Sequence, residues 1–328
     1  MINFNAPSDY PLIGKQLVQV NRVINQRINT RYPELQDALR TMASHGGKYI
    51  RPTIVLLMAR IIDPSLKNER LIKVAASIEI LHMASLIHDD VIDDSPKRRG
   101  AVSIQSRFGK DIAVYSGDLL FTVFFDLLTE TAADRASFQR NAHAMRHVLN
   151  GELGQMAERF DIHQGLTNYL RNVNGKTATL FWLAAGEGAR LAGATNRQIF
   201  CARSFGRNIG ISFQMLDDLL DYSSGDSLNK PVMEDLSTGV YSLPLLLALQ
   251  HADAAKKLKP LLAKKRQLTA DDMVTIQQIV KASGALQEAE QLATKFTNKA
   301  LQRLHELPAG PTRKLIHELT ISMLHRNK

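Results

Sequence analysis

Cysteine is all but missing: Cys201 is the one thiol in 328 residues. No disulfide can close within the chain, which fits a reducing cytoplasm. Long apolar runs are missing as well. No stretch of about 18 consecutive apolar residues occurs, so no transmembrane segment is expected. The opening MINFNAPSDYP has neither a basic region nor an apolar core and does not read as a signal peptide. Alternating runs of strand length, fixed-period repeats and low-complexity linkers are also absent. No recognisable nucleic-acid-binding module accompanies the positive charge.

What is present is a helical, basic, globular composition. Apolar residues make up 45% and charged residues 22%, which excludes a disordered chain. The net charge of +9 suits an anionic partner such as a phosphate, a nucleic acid or a membrane surface, although solubility alone accounts for it equally well. Helical spacing runs through Asn68–Asp94, where Leu71, Val74, Ala75, Ile78, Leu81, Ser85 and Leu86 trace a stripe. Similar patterns cover Leu12–Arg31, Glu34–His45, Ala113–Thr131, Phe138–Phe160, Gly175–Ala192 and Asn196–Tyr222. They continue through Leu243–Gln250, Ala270–Ser283 and Gly284–Glu306. Ala254–Arg266, with six Lys or Arg, reads as a solvated helical face. With no linker, the expectation is an all-α chain folded as a single domain over residues 1–328.

Two segments carry the chemistry. LIHDDVIDD, residues 86–94, and FQMLDDLLD, residues 213–221, are each apolar and then abruptly acidic. Asp89 and Asp93 are four apart, as are Asp90 and Asp94, and Asp217 and Asp221 repeat the spacing. On a helix, such pairs share a face and repel one another unless a cation intervenes. Carboxylates at this separation suit Mg²⁺, which takes a few of them and fills its shell with phosphate oxygens and water. An acidic helix cap would explain one such cluster; two of them favour a metal.

Cations suited to phosphate accompany the acids. Lys48 and Arg51 lie in GGKYIRP, Arg98 and Arg99 follow the first cluster, Lys176 sits in GKT, and Lys230 follows the second cluster. Arginine grips phosphate as a planar fork and lysine as a point charge. Two metal-type clusters beside several phosphate candidates describe a diphosphate site.

In this order the motifs resemble those of the trans-type polyprenyl diphosphate synthases, along nearly the whole chain. DDVID, residues 89–93, is similar to the family's first aspartate-rich motif and DDLLD, residues 217–221, to its second. The resemblance implies a helical bundle around a central cavity, the isoprenoid synthase type. It also implies a reaction that adds isopentenyl diphosphate to an allylic diphosphate. Three Mg²⁺ would be held by Asp89, Asp93 and Asp217, with Asp218 and Asp221 helping directly or through water. Asp90 and Lys176 would share in catalysis. Lys48, Arg51, His82 and Arg99 would hold isopentenyl diphosphate, and Arg98, Lys176, Thr177, Gln214 and Lys230 the allylic diphosphate. The chain departs from the family pattern at Tyr49, Asn229 and Ser242.

Family members with aromatic residues four and five positions before the first motif make short products; here those positions are Ser85 and Ala84. Products longer than farnesyl, of the quinone side-chain class, are therefore expected, with geranylgeranyl diphosphate as the alternative. Phe121, Phe124 and Phe125 are candidates for a deeper floor, against ordinary core packing. The family also implies a homodimer, with a second, different subunit as a further possibility, and a cytoplasmic location. Rival readings are a class I terpene cyclase, a regulatory subunit lacking acidic ligands, and a di-iron bundle built on Glu79 and His82.

Overall fold

The computed structural model describes residues 12–45, 49–98, 100–223 and 233–324. The fold is all-α: among the described residues the only strands are two-residue β1 (Lys97–Arg98) and β2 (Ala101–Val102). They form an antiparallel hairpin that pairs Lys97 with Val102 and Arg98 with Ala101.

The chain divides into two compact units, one of Met1–Ala142, Leu183–Arg203 and His305–Ile316, the other of the remaining residues. The divisions between 142 and 143, 182 and 183, and 203 and 204 fall inside the helices α7 (Arg135–Ala157), α9 (Thr179–Leu191) and α10 (Asn196–Ser223). That is why no linker is visible in the sequence.

The first unit is organised on α4 (Glu69–Ile92), which packs against α1 (Gly14–Arg27), α3 (Ile50–Ile62) and α6 (Lys110–Thr131). The expected single stripe on α4 is too narrow. Ile72, Ala76, Ile80, Met83, Ala84 and Ile87 are buried beside the stripe residues, so the helix is enclosed on nearly every side. A helix apolar all round is a core helix. Each large apolar side chain it hides contributes about 1.5–3 kcal/mol over its exposed state. By length and composition α4 and α6 could each cross a membrane, yet 72% of the qualifying window in α4 is buried inside the protein. Asn68 caps α4, its side chain accepting from the Arg70 N–H at 2.8 Å.

α4 and α6 approach closely because Gly117 has no side chain. A Cβ there would lie 2.2 Å from Nε2 of His88. Tyr49, in left-handed conformation just before α3, donates its hydroxyl to the Ala43 carbonyl at 2.7 Å and accepts from Asn21 at 2.7 Å. The tyrosine that stands in the basic motif thus ties that motif to α1 and to α2 (Pro33–His45).

In the second unit, α8 (Leu166–Val173) continues through a π-helical turn, Asn174–Ala178, into α9. The sequence reading starts a helix at Gly175; the structure instead puts Gly175 inside one. It is glycine because α7 lies against it: a Cβ on Gly175 would be 2.8 Å from the Gly151 Cα, and one on Gly151 would be 2.3 Å from the Lys176 N. π-turns are rare and concentrate at functional sites. α12 (Leu243–Ala248) packs on α8 and on α14 (Ala270–Ala282), and α15 (Ala285–His305) meets α10, where Ser212 bonds Thr297 at 2.7 Å and donates to the Ala293 carbonyl at 3.0 Å. α14 starts on a full capping box, Thr269 with Asp272. The lysine-rich stretch behaves as expected: α13 (Ala252–Leu262) buries Ala254, Ala255, Leu258 and Leu262 and exposes Lys256, Lys257 and Lys259.

Candidate active site

Both acidic clusters sit at helix C-termini, which rules out N-terminal acidic caps. α4 ends at Ile92 and α10 at Ser223, and neither has a basic residue in its last turn. The carbonyl end of a helix carries partial negative charge, so carboxylates there are disfavoured until a cation arrives. Both helices therefore end in carboxylates with no basic residue in the last turn to offset them.

At the first cluster, Asp89 and Asp93 are half-buried, with Asp93 capping α4 through its N–H to the Asp89 carbonyl at 2.9 Å. Asp90 differs: it is 2% exposed and accepts from Arg98 Nε at 2.7 Å and from the Arg98 terminal nitrogen. The β1–β2 hairpin therefore presents Arg98 to a carboxylate of its own chain. Asp94 does not share the face of Asp90, as the four-residue spacing suggests. The helix has stopped by then, and Asp94 adopts φ 52° and pairs with Lys110 at 2.9 Å. His88, just before the motif, reaches the Val114 carbonyl at 3.1 Å and Asp118 at 3.5 Å, with its ring edge-on to Phe121 at 5.4 Å. His82 is half-buried two turns earlier on α4, and Arg51 lies in the first turn of α3.

The second cluster repeats the arrangement. Asp217 and Asp221 are half-buried, whereas Asp218 is 5% exposed. Asp218, expected to help at the metal directly or through water, is buried and bonded to the protein. Its carboxylate accepts from the Tyr169 hydroxyl at 2.8 Å, the Leu243 N–H at 2.9 Å and Gln214 Nε2 at 3.0 Å. Burial pushes its pKa up, while those three donors and the Lys176 ammonium oppose the shift. Burial also raises the Tyr169 hydroxyl, reinforced by Asp218 and Asp217. Gln214 in turn accepts from Thr177 Oγ1 at 2.7 Å. Lys176 is held by Glu152 at 2.9 Å and by Gln155 at 3.1 Å.

Tyr169, Glu152 and Gln155 were not anticipated. Tyr169 lies seven residues before Lys176, the same spacing that singled out His82, but nothing in the local pattern signals that one continuous helix joins them. Glu152 and Gln155 lie on a mixed polar helix with no local signal. Lys48, Arg99 and Lys230 lie outside the described residues. Of the chain-length candidates, Ala84 is buried and Ser85 half-buried on α4. On α6, Phe121 is half-buried, Phe124 fully buried and Phe125 40% exposed.

Among the described residues, no three His, Cys, Asp or Glu side chains are grouped to cage a metal unaided. Paired carboxylates at a negative helix end suit Mg²⁺, which completes its shell with phosphate oxygens and water. They suit a cage-bound transition metal less well.

A family model described as polyprenyl synthetase matches residues 32–281. Heptaprenyl diphosphate synthase component 2 of Geobacillus stearothermophilus is 33% identical over 314 residues, covering 95% of this chain and 96% of that protein. Octaprenyl diphosphate synthase of Escherichia coli is 31% identical over 318 residues, 97% of this chain and 98% of the other. Among solved structures, geranylgeranyl pyrophosphate synthase of Lactobacillus brevis superposes with a TM-score of 0.92 at 39% identity, covering 97% and 98%.

Proposed function

Because the chain belongs to the polyprenyl synthetase family, we propose that it condenses isopentenyl diphosphate with an allylic diphosphate and releases an all-trans product longer than farnesyl diphosphate. The observation that carries this is the repeated design of the two helix ends. In each, the first and fifth carboxylates are half-open while the second is buried and held by the protein.

Asp89, Asp93, Asp217 and Asp221 are the residues that hold magnesium, three ions in all. When bound there, magnesium would supply stabilisation of the negative charge growing on the leaving diphosphate. Lys176, Arg98 and Lys230 grip the allylic diphosphate through their positive charge. Thr177 and Gln214 stand beside Lys176 on the same side of that substrate. Lys48, Arg51, His82 and Arg99 hold isopentenyl diphosphate so that its double bond faces the reacting carbon, a positioning contribution. The allylic carbon–oxygen bond breaks, the new carbon–carbon bond forms, and a proton leaves. No serine or cysteine nucleophile is required.

The small side chains of Ala84 and Ser85, one turn before Asp89, support a product longer than farnesyl. Phe121, on α6 against the His88 ring, is the preferred floor residue. The name of the Geobacillus relative, a component 2, supports a second subunit. Exposed Val114, Tyr115 and Phe125 on α6 support a homodimer. The single thiol, Cys201, fits a cytoplasmic location. The likeness to the Lactobacillus enzyme keeps geranylgeranyl diphosphate as the second product.

Mass analysis of products from purified protein, Mg²⁺, farnesyl diphosphate and isopentenyl diphosphate tests this reading. Expected is a ladder ending beyond twenty carbons; a twenty-carbon end point selects the second product. Turnover of the allylic diphosphate alone, giving a hydrocarbon, would instead mean a cyclase.

A further inference from the structure

As a carboxylate Asp218 can only accept, and this sets the direction of the hydrogen bonds around it as far as Thr177. Leu243 offers a backbone N–H, which can only donate, and it points at Oδ2 of Asp218 together with the Tyr169 hydroxyl. Gln214 sets its amide nitrogen against the other carboxylate oxygen. A side-chain amide has one donor end and one acceptor end. With its nitrogen engaged by Asp218, its oxygen faces Thr177, and the single hydroxyl proton of Thr177 goes there at 2.7 Å. Thr177 is left with lone pairs alone. It sits in the π-turn next to Lys176, whose ammonium is fixed by Glu152 and Gln155.

We propose that Asp218 is a positioning residue rather than a metal ligand, and that Asp218, Gln214 and Thr177 form a polarity relay. The relay fixes the Thr177 hydroxyl as an acceptor, suited to a donor such as a magnesium-bound water and not to a diphosphate oxygen. Tyr169 and the Leu243 N–H anchor its far end. The proposal rests on the diphosphate-handling role given above. It explains why the second aspartate is buried while Asp217 and Asp221 stay half-open.

The relay can be reversed without emptying it. In Asp218→Asn the carboxamide keeps its oxygen toward Tyr169 and Leu243 and presents N–H groups to Gln214. Gln214 must then flip, and its nitrogen donates to Thr177. In Gln214→Glu alone, two carboxylates face each other. In the double variant, the carboxylate introduced at position 214 accepts both from the amide introduced at position 218 and from Thr177, and the original polarity returns.

The experiment is this double-mutant cycle, read in three ways: thermal midpoint of the metal-free protein, Mg²⁺-dependent binding of inorganic diphosphate by calorimetry, and kcat. The thermal midpoint of Gln214→Glu should fall and the double variant should recover it, since groups in one network couple. The kcat of Asp218→Asn should fall about 30-fold, a fraction of what loss of a direct transition-state contact costs. The double variant should return to within about fivefold of wild type, with the Mg²⁺ requirement for diphosphate binding unmoved in both. As a second check, Thr177→Ser should keep activity and Thr177→Val lose it. A double variant no better than Asp218→Asn overturns the proposal. So does an Asp218→Asn variant whose Mg²⁺ requirement rises as much as that of Asp217→Asn. A wild-type protein that consumes no isopentenyl diphosphate would instead refute the proposed reaction, while the thermal cycle would still report on the relay.

Discussion

The two acidic helix ends share a plan and differ in how they execute it. Each leaves its first and fifth aspartates half-open and buries its second. At the first end the buried carboxylate, Asp90, is satisfied by the charged guanidinium of Arg98, eight residues along the chain. At the second, Asp218 is satisfied by neutral donors from Tyr169 and Leu243, 49 and 25 residues away in sequence, and from Gln214. A charged local partner can be recruited by one hairpin. A neutral set must be assembled by tertiary packing, and each donor stabilises the carboxylate only while the surrounding helices stay in register. The first end is thus built by a salt bridge and the second by architecture.

The largest effect that sharpens this comparison should come from the half-open aspartates. Asp89→Ala and Asp217→Ala should each lower kcat by about 1000-fold with little change in thermal stability, because each removes charge stabilisation and relieves like-charge repulsion. An equal loss of folding stability would break the division between open and buried positions. Next come the buried ones. Asp90→Ala leaves the Arg98 guanidinium without its carboxylate and should destabilise by about 2 kcal/mol, Arg98 being about one-third exposed and partly rescued by solvent. Tyr169→Phe removes one of three donors to a buried carboxylate and should cost about 1.5 kcal/mol in denaturant unfolding. It should be insensitive to salt, whereas the Asp90–Arg98 contribution should weaken as salt rises. The smallest effect is expected at Gly117→Ala, where the new methyl meets the His88 ring. A loss of about 1 kcal/mol is expected, with a modest change in kcat from displacement of the neighbouring Asp89. No change in either would mean that His88 yields freely.

Much of this was legible beforehand. The helical periods placed α4, α10 and most others, because an apolar face that must be buried leaves its spacing in the chain. The two motifs were legible for the same reason: carboxylates four apart are locally costly, so they stand out. What stayed hidden was non-local. Nothing near Asp218 in sequence distinguishes it from Asp217, since which of two adjacent aspartates faces inward depends on α8 and α12. The stop of α4 at Ile92, which removed Asp94 from the face of Asp90, carries no glycine or proline at the break itself. The π-turn at Gly175 looked like a helix start because glycine there serves a backbone approach to Gly151.

The most direct test of the central claim is calorimetric titration of inorganic diphosphate in the presence of Mg²⁺ for four variants, Asp89→Asn, Asp217→Asn, Asp90→Asn and Asp218→Asn. The first two should weaken Mg²⁺-dependent binding at least about tenfold, each losing about 1.4 kcal/mol or more. The second pair should stay within about threefold of wild type. An equal loss in all four variants would contradict the separation between metal-holding and helix-holding aspartates.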